Sequence, residues 1–383
     1  MPVTPELLNE TTAFLNTLFA LCEARGASDI HLCAGLAPRF RVQGLLRPLA
    51  ESGTARPALV EACGLLLAAT TLPPTEAAPL AAAHRTLLAD GSVDGATTSP
   101  AGHRYRFNVY RENSSTAVAL RRLDDRFLSL EELGLPPQLA DFSSLRDGLV
   151  VVTGPTGSGK STTLATLIEQ INLSRAGHII TIEDPVEYVH PSQCCLVHQR
   201  QIGRDATGFN AALVESLRQD PDVILVGEIR ELETIRTAIT AAETGHLVFT
   251  TLHAGDCVGA IERLVSVFPA GEQDGIRRQI SLVLRGIFAQ HLLPPVKPGD
   301  RRVACGELLV VTPAIANLIA TGKSQQIYSA IETGSGQGMQ TLDQALARLL
   351  SAGKITEQAA SAMTRNPALL KDWLRSENGR RRP

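Results

Sequence analysis

The stretch GLVVVTGPTGSGKSTTLATLIEQI, residues 148–171, decides the fold. It opens with a continuous apolar run, Leu149 to Val152, bounded by Gly148 and Gly154. Such a run reads as a strand buried on both faces. Gly154-Pro155-Thr156-Gly157-Ser158-Gly159-Lys160-Ser161 follows and fits G-x-x-x-x-G-K-[ST]. Beyond it, STTLATLIEQI, beginning with Ser161 and Thr162, reads as a helix. Strand, glycine-rich turn and helix in this order is the setting in which the motif binds phosphate. The glycines let backbone N–H groups turn inward, and the helix N-terminus adds partial positive charge. Lys160 is expected to reach the β- and γ-phosphates, and the Ser161 hydroxyl to ligate Mg²⁺. The loop predicts Mg-ATP without saying what it drives. No N-K-x-D stretch signals guanine, and nothing marks the lid or acceptor site of a small-molecule kinase.

Downstream, HIITIED, DVILVGE and HLVFTTLH repeat the buried-strand style with helical stretches between. Buried strands alternating with helices predict a parallel, doubly wound α/β sheet. DVILVGE delivers Glu228 to the carboxyl edge of that sheet, where ligands bind in open α/β folds. A carboxylate there holds Mg²⁺ through water or polarises the attacking water. The alternative is a strand-end acid capping the next helix. TIEDPVEY puts Glu183 and Asp184 at another strand end, for metal, water or a turn cap, and spacing does not choose. His246 precedes a strand and His253 follows it; His253 is placed to donate to a γ-phosphate, or is a structural histidine.

Upstream, apolar residues from Leu7 to Cys22 recur at helical spacing and Gly26 stops them. SDIHL alternates like a strand, and RFRVQGLLRPL reads as two strands around Gln43-Gly44. Residues 55–90 read as helices broken at Pro73-Pro74, and HRYRFNVYR and TAVALRRL as paired strands. The spacing predicts an α+β domain over 1–125 and a linker over 126–147 marked by Pro136-Pro137. An ATPase core over 148–296, a mostly helical region over 297–372 and a disordered tail over 373–383 follow, with Gly334, Gly336 and Gly338 marking a loop.

Composition bounds the partners. Among 383 residues, 44% are hydrophobic, 20% charged and only 4% aromatic, with net charge −3. Sequence-independent nucleic-acid binding leans on Lys and Arg neutralising phosphates, so the balance argues against it. No apolar run is long enough for a transmembrane helix, and the start, MPVTPELLNE, lacks the pattern of a signal peptide. The seven cysteines, 22, 33, 63, 194, 195, 257 and 305, form no C-x-x-C pair and fit a reducing cytoplasm.

Taken together, GASDIHLCAGLAPRFRVQG, GHIITIEDPVEY, LRQDPDVILVGEIRELETIRTAITAAETGHLVFTTLHA, VFPAGE and GMQTLDQAL resemble the secretion ATPase superfamily, and within it the type IV pilus retraction ATPases, the PilT family. The resemblance covers roughly residues 5–360. It implies a PAS-like N-terminal α+β domain followed by a RecA-like P-loop ATPase domain with C-terminal helices. It also places Glu183 in an Asp box, Glu228 as catalytic glutamate of an atypical Walker B, and His246 and His253 in a His box. Arg106 in RYRFN and Arg121 in VALRRL match arginines that bring charge to the γ-phosphate; Arg104 and Arg122 read as ordinary exposed strand residues. The missing C-x-x-C pair favours the retraction branch over pilus assembly and type II secretion ATPases. Ala316 in AIANLI stands where retraction ATPases typically carry an arginine, and Glu231 replaces the usual Asp after GEIR.

The resemblance implies a homo-hexameric motor, cytoplasmic and peripheral to the inner membrane through a platform protein, with Mg-ATP hydrolysis moving one domain against the other through the linker. An accessory pilus ATPase, a conjugative or type IV-like secretion ATPase, a RecA-like nucleic-acid translocase and a nucleotide-gated scaffold are the competing expectations.

Overall fold

The structure, a computed structural model, describes residues 4–380 apart from 43, 50–52, 74, 124–125 and 298. Gln43, Pro74 and the last three tail residues, to which part of the sequence reading applied, lie outside the described residues. The chain divides into two compact units. One holds Met1–Arg126, Glu183–Val189 and Arg200–Gly208; the other holds Phe127–Ile182, His190–Gln199 and Phe209–Pro383.

In the first unit, α1 (Pro5–Ala24) starts with the Thr4 side chain accepting from Leu7 N and Pro5 in the first turn, where a missing N–H costs nothing. The unit then runs β1 (Asp29–Cys33), β2 (Arg39–Val42), β3 (Leu45–Pro48), α2 (Pro57–Ala69), α3 (Pro79–Asp90), β4 (Ser92–Thr98), β5 (Arg104–Glu112) and β6 (Ser115–Arg122). Among the described residues the strands form one sheet ordered β3-β2-β1-β6-β5-β4, antiparallel at every pairing. One face carries the core: Leu15, Leu18, Phe19, Ile30, Leu32, Val60, Tyr105, Phe107 and Leu120 are all buried together. Each such side chain contributes about 1.5–3 kcal/mol on leaving water. The sequence reading missed β4, because SVDGATT carries Asp and Gly, both poor strand formers.

The second unit is built on β7 (Gly148–Thr153), whose every residue is buried. Before it come a 3-10 turn at Pro137–Leu139 and α4 (Ala140–Ser143). After it come α5 (Lys160–Ser174), β8 (His178–Glu183), β9 (Leu196–Gln201), α6 (Phe209–Ser216), β10 (Val223–Val226), α7 (Leu232–Glu243), β11 (Leu247–Leu252), α8 (Cys257–Ser266), α9 (Ala270–Val283), β12 (Leu284–Leu293) and β13 (Val303–Val310). Helices α10 (Pro313–Ala320), α11 (Ser324–Thr333), α12 (Leu342–Ser351), α13 (Glu357–Met363) and α14 (Pro367–Arg380) complete it. The sheet order is β13-β12-β7-β11-β10-β8-β9 among the described residues. The pairings β12·β7, β7·β11, β11·β10 and β10·β8 are parallel, and β13 runs antiparallel to β12. The sheet is therefore mixed and mostly parallel.

Three stretches add detail to the sequence reading. The region after 297, read as mostly helical, also contributes a strand, because β13 extends the sheet. Its sequence, VACGELLV, hid it behind Gly306 and Glu307. Both belong there: a Cβ on Gly306 would meet Ala289 O at 2.6 Å, and the buried Glu307 carboxylate accepts from Cys257 N at 2.9 Å. The stretch 373–380, expected to be disordered, is the continuation of α14. The stretch expected as the linker, 126–147, has Leu130, Leu135, Leu139 and Phe142 buried in the core of the second unit.

Candidate nucleotide site

The phosphate loop is shaped by backbone. β7 ends at Thr153, and α5 begins at Lys160 with Gly159 as N-cap and no side chain capping it. The first-turn amides of a helix have no intrahelical partner, so this end is open to an anion. Gly154 and Gly159 have φ of 145° and 91°, in the region L side chains avoid, and both are pressed against β12. A Cβ on Gly154 would lie 2.2 Å from Gln290 O, and one on Gly159 2.9 Å from Gln290 Nε2. Gln290 is 3% exposed, and its Oε1 accepts from Thr163 Oγ1 at 2.6 Å. One buried glutamine thus sets both the loop's floor and the start of α5. Lys160 Nζ donates to Gly154 O at 2.9 Å and Pro155 O at 3.2 Å. Ser158 Oγ is buried with no partner among the described residues, Ser161 is exposed, and Thr162 is half-buried. Pro155, Thr156 and Gly157 form the exposed rim.

Two strands away lies the carboxylate edge. The register pairs Thr153 with Leu252 and Val226 with Thr250, so β7, β11 and β10 all end at one side of the sheet. Side chains tie these ends together. Thr153 Oγ1 accepts from Ala254 N at 2.8 Å and donates to Ala254 O at 2.9 Å; Thr251 Oγ1 donates to Gly227 O at 2.6 Å. Glu228 follows β10 and His253 follows β11, and the two meet: His253 Nε2 stands 3.0 Å from Glu228 Oε1. Arg230 grips the same carboxylate in a fork, its Nε on Oε1 and its Nη2 on Oε2 at 2.7 Å. Burial pushes the Glu228 carboxyl up. The hydrogen bond from Arg230 and the charges of His253 and Arg230 outweigh it, so the group titrates below its ordinary range.

The loop bearing His253 is anchored from behind. Asp256 caps α8 by accepting from Gly259 N at 2.5 Å, and Arg365, between α13 and α14, reaches Asp256 Oδ2 at 2.7 Å and Gly255 O at 3.1 Å. His291 Nε2 lies 3.2 Å from the same carbonyl.

Other expected residues are elsewhere. His246 sits at the opposite end of β11, its Nδ1 2.9 Å from Ala241 O. Six strand residues separate it from His253, about 20 Å at the usual rise. The structure does not bring His246 to this subunit's own phosphate loop. Glu183 ends β8 and, with Asp184, enters the stretch that packs with the first unit. Burial and the nearby Asp94 push the Asp184 carboxyl up, with Arg106 opposing. Arg106 and Arg121 face each other across β5 and β6. Within the first unit Arg106 lies 3.5 Å from Glu187 and Arg121 2.9 Å from Asp29. Arg104, read as an ordinary strand residue, is instead half-buried and donates to Val186 O at 2.5 Å.

The loop fits a nucleotide's phosphates: open amides, a buried lysine, an unpartnered Ser158 hydroxyl and two glycines that side chains would block. The exposed hydroxyl of Ser161, at the start of α5, also suits a hard cation such as Mg²⁺. Three comparisons give the arrangement its relatives. The family described as Type II/IV secretion system protein matches residues 10–361. The chain belongs to this family. As a secretion ATPase it is 41% identical, over 92% of its length and 98% of the relative's, to a Pseudomonas aeruginosa protein named type IV pilus retractation ATPase PilT. The crystal structure of a pilus retraction motor PilT with bound ADP superposes with a TM-score of 0.82 at 39% identity, covering 93% of this chain and 98% of that one. The Legionella pneumophila ATPase DotB superposes at 0.78 with 28% identity, covering 92% and 95%. The secretion ATPase fold here is PilT-like, and the protein is a nucleotide-binding ATPase of that kind. No helix among the described residues is long and apolar enough to cross a membrane.

Residues the sequence reading passed over are Arg230, Gln290, Thr153 and Arg365. Gln290 left a signal: a glutamine inside the apolar run GIFAQHLL must find a partner if buried. Arg230 left none, since a residue two places beyond Glu228 in a turn follows no periodic rule.

Proposed function

We propose that this protein is a hexameric motor ATPase that hydrolyses Mg-ATP to power type IV pilus retraction. The observation that carries the reading is the 41% identity to PilT across 98% of that relative's length. In this reading the amides of residues 154–161 and Lys160 hold the phosphates, and Thr162 supports the start of the helix. Ser161 would hold Mg²⁺, which when bound neutralises charge on the phosphate oxygens. Glu228 is the general base, taking a proton from the attacking water. His253, 3.0 Å from that carboxylate, orients it. Glu183 is a further acid for the same water or metal shell, and Arg106 and Arg121 supply positive charge to the transferred phosphoryl group, a role worth about 10³–10⁵ in rate in other phosphoryl-transfer enzymes. The motor works in the cytoplasm, peripheral to the inner membrane, on a platform protein engaged by the C-terminal helices.

The test is a deletion strain scored for surface pili. Hyperpiliation is expected. Loss of pili would assign the protein to assembly. Unchanged piliation would assign it to secretion or an accessory role, the reading favoured by Ala316 in place of the family arginine. Strong, salt-sensitive stimulation of hydrolysis by single-stranded DNA would favour a translocase instead.

A further inference from the structure

A general base needs a lone pair turned toward its water. A carboxylate has about four lone-pair sites over its two oxygens. At Glu228, Oε1 meets both Arg230 Nε and His253 Nε2, and Oε2 meets Arg230 Nη2. Protein donors thus occupy three of those sites. The Glu228 side chain is 22% exposed, while the Arg230 side chain that grips it is 67% exposed and free to leave toward solvent. Arg230 stands between β10 and α7 and carries no role in the reading above.

We propose that Arg230 is a latch on Glu228, a positioning residue whose fork holds the carboxylate neutralised and turned from water until it swings away. The inference rests on Glu228 being the general base. The fork also weakens that base, because a carboxylate stabilised by a guanidinium accepts a proton less readily. His253, its Nε2 3.0 Å from Oε1, is the other side chain acting on Glu228 and comes from a different strand end. Release would therefore leave Glu228 paired with His253 alone, more basic and with Oε2 free. The latch would then keep idle subunits from wasting ATP.

The experiment uses the purified full chain with Mg-ATP, measuring kcat and KM from about pH 3.5 to 9, below and above the ordinary carboxylate range, for wild type, Arg230→Gln, Arg230→Lys and Glu228→Gln. Removing the latch is expected to raise kcat at pH 8 about threefold or more, with KM held within about twofold. The acid limb of the profile should move to higher pH, because the carboxyl is no longer held low. The two curves should therefore cross, with the variant slower than wild type at acid pH. Arg230→Lys keeps the charge and loses the fork, so it should fall between the two; it also serves if Arg230→Gln does not fold. An Arg230→Gln enzyme slower than wild type at pH 8, or one with an unmoved acid limb, overturns the latch while an inactive Glu228→Gln leaves the base in place. A Glu228→Gln enzyme that turns over normally overturns the base itself, and the latch with it.

Discussion

The phosphate loop and the carboxylate edge share one side of one sheet, yet they are made of different material. The loop is backbone, held open by glycines that Gln290 presses from below. Its shape is fixed by covalent geometry and by one buried side chain. The edge is side chains: Glu228, Arg230 and His253 come from two strand ends and meet only because β10 and β11 are in register. A backbone cradle has one arrangement. A cluster of charged side chains has several, differing by the modest free energies of part-exposed ion pairs. In the proposed mechanism binding belongs to the first region, and timing of hydrolysis to the second.

Substitutions can break this contrast, and we order them by expected effect. Lys160→Ala removes the loop's only lysine, and hydrolysis should fall by at least about 100-fold, read as phosphate release. Gly154→Ala places a Cβ 2.2 Å from Gln290 O at a φ of 145°. Strain of about 1–3 kcal/mol should appear as weaker ADP binding in calorimetry, by roughly tenfold or more. A variant binding as tightly as wild type would contradict the account of the loop's floor. Gln290→Leu leaves the buried Thr163 hydroxyl unpartnered, so urea unfolding should show a loss of about 1–3 kcal/mol. Arg365→Ala releases Asp256 and Gly255 at the edge. It should cost no more than about 1 kcal/mol and speed hydrogen exchange at the start of α8, leaving residues 154–159 as protected as before.

The contrast also explains what could be read in advance. VVVTGPTGSGKS is legible because each residue answers a local demand: apolar for a buried strand, glycine for positive φ, lysine for phosphate. The repeated strands of the parallel sheet were legible for the same reason. β13 was not, because its Glu307 makes sense only beside Cys257 N, fifty positions away in sequence. The Glu228–His253 pairing depends on strand order, which spacing does not encode, and Arg230 depends on a turn's geometry. His246 is a plainer case. The sequence already sets it before the strand and His253 after it, and β11 holds the two at opposite edges of the sheet.

The most direct test separates binding from turnover in one protein. Glu228→Gln should bind ADP and ATP as wild type does in calorimetry and lose nearly all hydrolysis, while Lys160→Ala loses both. A Glu228→Gln enzyme that hydrolyses ATP at the wild-type rate would contradict the assignment of chemistry to the carboxylate edge.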